Sequence, residues 1–353
     1  MTKKWERVGR YLEKYADALV FDQFQEGFLK REKIDMFMRQ VPVPMRLEDV
    51  VSFHTQKGLD VMRVAQNMIR VLGINPSFSY AQSYLRYIRM YFNENIAEAV
   101  VKDGEQRARE GNVEEALIYF RAALVMAPQQ KNALFDYGLA CRQLAEQDSD
   151  DEAYRGAMKA DSIETFEELA GAHPDFAPTY YYLGYIYLNM GLYTKAQLTF
   201  RLFLQLSEPR NGGNLPEKGE AAKGVGSDFG IDDATLSEQR KEICQRLEQL
   251  TEPVKIEGGI NHILAGRPEV GLSILEPYVD GPYDTWWPLH YYLGQACVST
   301  GCIDEAILRF RRVLQLNPSH AETMNELAEI YEAKGDAVMG EKYRNKIELV
   351  KEK

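Results

Sequence analysis

The chain has 353 residues, of which 27% are charged, and its formal net charge is −11. Because nucleic acid and anionic membrane surfaces bind basic proteins, this charge argues against both as partners. No segment approaches the roughly 20 apolar residues of a membrane-spanning helix, and the first residues lack the apolar run of a signal peptide. We therefore expect a folded protein in the cytoplasm.

The first predicted region is residues 1–96. From Trp5 to Leu19, apolar residues recur at steps of three and four, which predicts a helix with one apolar face. Two prolines then interrupt the pattern, and further helices are predicted over residues 59–72 and 77–92. We therefore predict a helical N-terminal region of degenerate repeats that covers the first face of the elements after it.

A regular spacing of glycine, small and large apolar residues begins after residue 96. A glycine is followed five residues later by a small residue, and four residues after that by a large apolar one. The spacing occurs at Gly111, Ala116 and Phe120; at Gly191, Ala196 and Phe200; at Gly266, Gly271 and Leu275; and at Gly301, Ala306 and Phe310. Such a repeat of about 34 residues predicts a stack of helical hairpins.

The most regular unit spans residues 287–320. Gly294 and Ala306 are small where its two predicted helices cross, so the helices can approach closely. With these residues the pattern resembles the tetratricopeptide repeat. The resemblance covers residues 97–208 and 252–353, with three units in each triplet and a polar capping helix at the C-terminal end.

This resemblance implies an all-α fold. The helical hairpins of the family stack into a solenoid, a right-handed α-α superhelix. The family also implies a role in binding a protein or peptide, because its repeats hold partners and do not convert them. The sequence is therefore interpreted as a non-catalytic interaction scaffold or adaptor.

Two stretches depart from the repeat length. Gly138 and Pro174 stand farther apart than the motif allows, so the acidic residues 146–152 are predicted to form an extended loop. Residues 209–251 separate the two triplets. Up to Asp232 they are rich in glycine, polar and charged residues, which predicts a long, flexible inserted loop followed by a connecting helix.

The resemblance further implies a concave groove lined by the first helix of each unit. Transferring the family's groove positions predicts a tyrosine-rich set of partner-binding residues, with Ser299 and Glu326 beside it. The set is Phe135, Asp136, Leu139, Tyr181, Tyr182, Tyr185, Asn189, Tyr291, Tyr292, Gln295, Asn325 and Glu329. Tyrosine buries a large area at little entropic cost, which suits a partner with apolar anchors. For any single tyrosine, packing against a neighbouring helix is an equally good explanation.

One branch of the family binds the C-terminal carboxylate of chaperones through cationic groove residues. Here those positions hold Val101 and Glu105 in one unit and Asn325 and Glu329 in another. A carboxylate needs a cationic partner, so we predict that this clamp is absent.

Reactive side chains are scattered along the sequence. No two cysteines stand at the two-residue spacing of zinc or redox sites, and Cys141 and Cys297 fall at equivalent inward-facing repeat positions. The histidines lie far apart, and nothing resembles a nucleophile with its base. We therefore predict buried free thiols, no metal site, no cofactor and no enzymatic activity.

Two alternatives to a scaffold stay open. In the first, the chain is a peptide-responsive regulator and residues 1–96 are its effector module; residues 29–33 are the locally basic patch there, but no helix-turn-helix follows them. In the second, the chain is an accessory subunit of an enzyme complex. Fold class does not choose among these functions, and the sequence leaves the oligomeric state open.

Overall fold

The computed structural model describes residues 2–51, 60–92, 95–147, 150–208 and 230–351. Its packing divides the chain into two units, Met1–Ile186 and Tyr187–Lys353. Each unit is built from helices that repeat along the chain, so the prediction of an all-α helical repeat fold is confirmed. The division falls inside one helix. The finer organisation into regions 1–96, 97–208, 209–251 and 252–353 stays a prediction.

The first unit contains a series of antiparallel helical hairpins preceded by shorter elements. Its helices are α1 (Thr2–Leu12), α2 (Glu26–Glu32), α3 (Asp35–Met38), α4 (Val61–Ile74), α5 (Ala81–Tyr91), α6 (Ile96–Arg109), α7 (Val113–Met126), α8 (Lys131–Glu146), α9 (Glu152–Ala172) and α10 (Ala177–Asn189), in which the unit ends. Two strands, β1 (Val20–Asp22) and β2 (Val43–Met45), pair antiparallel with Val20 opposite Met45.

The N-terminal region differs from the prediction in two ways. Helix α1 ends at Leu12, so Leu19 lies beyond it, and the β1–β2 pair makes the region less than wholly helical. The alternating prolines at 42 and 44 explain the strand, because proline and the residue before it favour extended backbone. Helices α4 and α5 lie where the sequence predicted them, over residues 59–72 and 77–92.

The second unit continues the hairpins. Its helices are α11 (Tyr193–Leu206), α12 (Asp233–Gln249), α13 (Thr251–Leu264), α14 (Pro268–Leu275), α15 (Trp287–Ser299), α16 (Ile303–Leu316), α17 (Ala321–Ala333) and α18 (Ala337–Lys351). Most of the predicted inserted loop, residues 209–229, lies outside the described residues. Helix α12 is the predicted connecting helix; Arg240 on it donates to the Leu204 carbonyl at 2.6 Å and to Ser207 Oγ at 2.6 Å.

The hairpins close because a glycine on one helix faces a phenylalanine on the next. A Cβ atom on Gly294 would lie 2.6 Å from Cε1 of Phe310, and a Cβ on Gly104 would lie 2.6 Å from Cε1 of Phe120. Both distances are far shorter than a carbon–carbon contact, so only glycine allows the two helices this spacing. At the turn between α15 and α16, Gly301 has φ +79°, the left-handed conformation that the sequence predicted there.

Helices α8 and α9 account for the residues in excess of the motif. Helix α8 ends at Glu146 and α9 begins at Glu152, and the described residues between them, 147 and 150–151, are not helical, where the loop was predicted. Helix α9 takes up the rest of the excess, because it is 21 residues long. Asp161 on α9 is buried; its carboxylate accepts a hydrogen bond from Tyr137 Oη at 2.7 Å and pairs with Arg7 Nη1 at 3.2 Å. Helix α9 thus joins α1 to the repeat.

A buried arginine ties α4 to α7. Arg121 is fully buried, and it donates from Nε to the Gly73 carbonyl at 2.7 Å and from Nη2 to the Ile74 carbonyl at 3.3 Å. Carbonyls at the C-terminal end of a helix have no intrahelical partner, so the guanidinium satisfies groups that would otherwise be buried without one.

The cysteines agree with the sequence analysis. Cys141 and Cys297 are buried free thiols, as predicted, and burial raises the pKa of Cys297 to about 11. The described residues contain no group of three or more His, Cys, Asp or Glu side chains that could hold a metal ion. None of the helices described combines the length and the apolarity needed to cross a membrane.

Candidate functional site

The second unit contains a cleft of about 660 Å³, which we call the aromatic cleft. Ile256 and Ile260, one turn apart on α13, form part of its apolar lining. Six described aromatic side chains from three parts of the unit complete the walls: Tyr193, Tyr283, Trp286, Trp287, Tyr291 and Tyr292. The volume is in the range of specific ligand sites, and the lining is of the type enriched at binding hot spots.

Helix α15 supplies one wall of the aromatic cleft. Pro288 occupies its first turn, where a missing backbone N–H costs nothing, so the helix begins immediately after Trp286. Trp287 and Tyr291 are four residues apart and therefore lie on one face of the helix, with their ring centroids 6.5 Å apart. Tyr292 stands edge-on to Tyr291 at 5.5 Å.

The loop before α15, residues 279–286, supplies a second wall and is held by Asp284. The carboxylate of Asp284 accepts a hydrogen bond from Arg312 and lies 3.2 Å from His290 Nε2, which also donates to the Asp284 carbonyl at 2.8 Å. The bond from Arg312 keeps the pKa of Asp284 below its usual range. An ionised, doubly held aspartate therefore fixes the loop that carries Tyr283 and Trp286.

His320 closes one end of the aromatic cleft and is a packing residue. Its Nδ1 accepts the Thr323 backbone N–H at 3.2 Å, which caps the N-terminus of α17. Its ring lies 4.3 Å from the Trp287 ring and 5.1 Å from the Tyr291 ring, measured between centroids. The capping bond leaves the ring proton on Nε2, 3.6 Å from Glu322 Oε2.

Charge in the aromatic cleft is one-sided. Glu257 and Glu322 line it, and no lysine or arginine does so among the residues that the structure describes. Glu257 Oε2 accepts the Thr194 backbone N–H at 2.6 Å, at the start of α11. Burial, together with the charges of Glu326 and Glu322, raises the pKa of Tyr291. The aromatic walls therefore lie in a negative field.

The predicted residues of the first unit form a separate aromatic surface. Phe135 lies 5.7 Å from Tyr182, and Tyr181 lies 5.2 Å from Tyr185, with the rings in edge-on geometry. All four side chains are half-buried. Tyr182 also stacks on the core residue Phe166 at 5.6 Å. Part of each ring therefore packs against the unit and part faces solvent.

Asp136 lies on the same helix as Phe135 and has an unusual titration. Burial, with a contribution from the charge of Glu105, raises the pKa of Asp136 to about 7. Leu139 is half-buried one turn further along α8, and Asn189, at the end of α10, is exposed. Asp136 is thus a carboxyl group whose charge changes around pH 7.

The remaining predicted residues bond to one another. Gln295 donates to Tyr291 Oη at 3.0 Å, and Asn325 donates to Glu329 Oε1 at 2.8 Å. Arg344 on the last helix donates to Asn325 Oδ1 at 2.6 Å. None of the predicted groove residues is fully buried.

The aromatic cleft contains only Tyr291 and Tyr292 from the predicted set. Sequence reasoning missed Trp286, Trp287 and the other lining residues because the family's groove positions lie within first helices and exclude the loop before them. The signal that could have found them is the aromatic run Tyr-Asp-Thr-Trp-Trp at 283–287.

Another cleft, which we call the arginine cleft, lies in the first unit and has a volume of about 530 Å³. Arg46, Arg63, Arg70 and Arg107 line it, together with Asp103 and Glu110. Glu115 accepts hydrogen bonds from Arg70 and, at 3.1 Å, from Arg107. Asp49 pairs with Arg63 at 2.6 Å. Most of these cations therefore already have a carboxylate partner.

Comparison with known proteins bears on the fold. The model of the tetratricopeptide repeat family matches residues 177–209. No curated protein matches the chain. Among solved structures, the chain is similar to the TPR domain of P58(IPK), at 15% identity over 72% of this chain and 60% of that one, with a TM-score of 0.36.

Two further solved structures are similar to the chain. One is YrrB, "a TPR protein with an unusual peptide-binding site", at 14% identity over 65% of this chain and 91% of that one, with a TM-score of 0.26. The other is PilF of Pseudomonas aeruginosa, at 11% identity over 71% and 90%, with a TM-score of 0.29. These similarities are remote and say nothing about what this chain binds.

The helical hairpins and the matched repeat define the class of protein. The family model shows a tetratricopeptide repeat over residues 177–209, one of the units that the spacing of glycine, alanine and phenylalanine predicted. Repeats of this class are typically interaction scaffolds without catalytic activity.

Proposed function

We propose that this protein is a non-catalytic scaffold that binds a segment of a partner protein in the aromatic cleft of its second unit. The observation that carries the proposal is the convergence of Trp286 and Trp287 with four tyrosines on one cleft. Aromatic side chains give up little entropy on binding and bury large areas, and they dominate the energetics of protein interfaces. A cytoplasmic location, predicted from the sequence, is part of this proposal.

The tyrosine-rich surface of the first unit is proposed as an additional contact area. Tyr181 and Tyr185 each keep a half-exposed ring there, as a groove residue would. The other predicted groove residues join the proposal on the same grounds. The proposed scaffold uses no cofactor and no nucleic acid. It also has no chaperone carboxylate clamp, because Glu105 and Glu329 stand at positions where that clamp needs cations.

The N-terminal region gives little support to the regulator alternative. An effector module that acts by itself would need few bonds to the repeat, whereas Arg7 pairs with Asp161 and Arg121 holds the end of α4. No observation favours an accessory subunit over a scaffold.

The test is partner capture with matched variants. The full chain is immobilised and captured proteins are identified, with Trp286→Ala/Trp287→Ala as the cleft variant and Tyr80→Ala as the control, since Tyr80 is an exposed aromatic of the first unit. Truncating a hot-spot aromatic costs about 2 kcal/mol, so the double variant should lose about a thousandfold in affinity.

Partners that are captured by the wild type and the Tyr80 variant but lost by the tryptophan variant support the proposal. Circular dichroism and a thermal melt check that the tryptophan variant is folded. A partner that binds a folded tryptophan variant as tightly as the wild type contradicts the aromatic cleft as the binding site. In that case Tyr181→Ala/Tyr185→Ala would be tested next in the same assay.

A further inference from the structure

The charge of the aromatic cleft restricts what can occupy it. Glu257 and Glu322 line the cleft, and neither pairs with a lysine or arginine among the described residues. Glu326 stands just beyond, reached by Gln295 Nε2 at 3.5 Å. An anionic or strongly acidic partner would therefore meet only like charge there, which is unfavourable by Coulomb's law.

The aromatic walls of the cleft favour a positively charged occupant. A lysine or arginine over the face of a tryptophan or tyrosine is attracted by the ring quadrupole, most strongly by tryptophan. The cleft offers Trp286 and Trp287 beside tyrosine rings, with carboxylates at its border. The chain uses the same interaction internally, since Lys195 Nζ lies 3.9 Å from the Tyr187 ring centroid.

The position of each carboxylate adds a further constraint. Glu257 is fixed by the Thr194 N–H and is half-buried, so its charge lies within the cleft. Glu322 is exposed at the first turn of α17. The two carboxylates come from different helices, α13 and α17, and both line the cleft that the aromatic rings form.

We infer that the aromatic cleft takes a lysine or arginine side chain, flanked by apolar residues, from an extended segment of a partner protein. The cation lies against the tryptophan and tyrosine faces, and the carboxylates of Glu257 and Glu322 neutralise it. The apolar flanking residues cover Ile256 and Ile260. This inference rests on the proposed function, because it names the chemistry of the segment that the cleft binds.

The test uses the full chain and a panel of synthetic peptides of one length. Each peptide has the same leucine-rich flanks and one central residue: lysine, arginine, norleucine, glutamine or glutamate. Binding is measured by fluorescence anisotropy of a labelled peptide and by quenching of intrinsic tryptophan fluorescence, since two of the three tryptophans of the chain line the cleft.

We expect the lysine and arginine peptides to bind about tenfold more tightly than the norleucine and glutamine peptides, and the glutamate peptide most weakly. Glu257→Gln/Glu322→Gln should remove most of this preference and leave the norleucine peptide unchanged. Glu341→Gln, which removes an exposed carboxylate of the last helix, is the matched control and should keep the preference. Added salt should reduce the preference in the wild type and in Glu341→Gln.

Two results overturn the inference, and they are distinguishable. If the norleucine or glutamate peptide binds as tightly as the lysine peptide, and all quench tryptophan, the basic anchor is wrong while the proposed function stands. If no peptide of any charge quenches tryptophan or loses affinity in Trp286→Ala/Trp287→Ala, the aromatic cleft is not a docking site and both proposals fail.

Discussion

The aromatic cleft and the arginine cleft lie in units of the same helical architecture, but their charges are arranged in opposite ways. In the arginine cleft, Arg70 and Arg107 share the carboxylate of Glu115, and Arg63 is paired with Asp49. In the aromatic cleft, carboxylates face aromatic rings without a cationic partner among the described residues. One cleft has most of its charges satisfied within the chain, whereas the other does not.

This difference shows why a basic patch in a sequence or a structure is a weak indicator of function. The pairs in the arginine cleft are partly buried: Arg70 is 14% and Glu115 is 18% exposed. They hold α4 against the hairpin of α6 and α7. A ligand there would have to replace hydrogen bonds that already exist, whereas a cation entering the aromatic cleft would gain interactions that the free protein lacks.

The largest expected effect comes from disrupting one tight contact between a glycine and a phenylalanine in each unit. Gly294→Val and Gly104→Val would each drive a side chain into a phenylalanine ring, since even a Cβ atom would lie 2.6 Å from it. Such overpacking should cost about 3 kcal/mol of unfolding free energy. Gly294→Val should also abolish binding of the lysine-centred peptide, whereas Gly104→Val should leave it intact.

Hydrogen exchange measured by mass spectrometry would check this pair of variants unit by unit. Lost protection confined to the unit that carries the substitution is the expected result. Glycines with free space around them are the controls, Gly156→Ala in the first unit and Gly258→Ala in the second. Equal loss of peptide binding in both valine variants would contradict the separation of the two clefts.

Removing the carboxylate of Glu115 should leave Arg70 and Arg107 in the arginine cleft without the anion that they share. Burial by itself raises the pKa of Glu115, but the hydrogen bond from Arg70 and the arginine charges outweigh it, and the pKa lies below its usual range. Glu115→Gln leaves two arginines without their anion, so we expect a loss of about 2 kcal/mol at pH 7. The wild-type contribution is present above pH 4.5, the unfolded value, and is lost as the pH falls through the lowered pKa.

Sulfate provides the second readout for Glu115→Gln. The variant should be stabilised by sulfate in a thermal melt more than the wild type, because the anion replaces the lost carboxylate. Glu110→Gln is the control, since Glu110 is exposed and bonds to Gln106. If sulfate stabilises the wild type and both variants equally, Glu115 does not neutralise the arginines of the cleft.

Asp136 allows a smaller test within the tyrosine-rich surface of the first unit. Its pKa is raised from 3.8 to about 7, so its contribution to stability is present below pH 3.8 and is lost as the pH rises through 7. Asp136→Asn should therefore be more stable than the wild type at pH 8, by about 1–2 kcal/mol, and equal to it near pH 4. Urea unfolding at both pH values measures the difference.

Glu105→Gln provides the matched control for Asp136→Asn. It removes the neighbouring negative charge and should stabilise the protein at pH 8 in the same direction but by less, since burial is the larger cause of the shift. A variant Asp136→Asn that is less stable than the wild type at pH 8 would mean that the carboxylate is ionised and paired there.

The smallest expected effect concerns the loop of the aromatic cleft. Asp284→Asn removes the charge that Arg312 and His290 hold, so the loop that carries Trp286 should loosen. We expect binding of the lysine-centred peptide to weaken about threefold to fivefold at pH 7. Asp280→Asn, in the same loop and exposed, should have no effect. Unchanged binding in Asp284→Asn would show that helix packing alone positions the loop.

Much of the candidate site could not be predicted from the sequence, for identifiable reasons. Tyr291 and Tyr292 were found because they lie at regular positions of α15. Trp286 is placed by Asp284, whose partners Arg312 and His290 are 28 and 6 residues away, and no local pattern reports such a contact. The excess residues before Pro174 were all expected in a loop, but part of them lengthens α9 to 21 residues.

The sequence by itself determined the repeat. Glycine at the turns, glycine and alanine at the helix crossings and phenylalanine opposite them recur at a constant spacing, because a hairpin can close only with small residues where its helices touch. Tertiary structure alone decided which charges are satisfied. Glu115 finds arginines on two other helices, whereas among the described residues Glu257 bonds to a backbone N–H and to no cation. Ion pairing depends on distances between elements, which spacing along the chain does not encode.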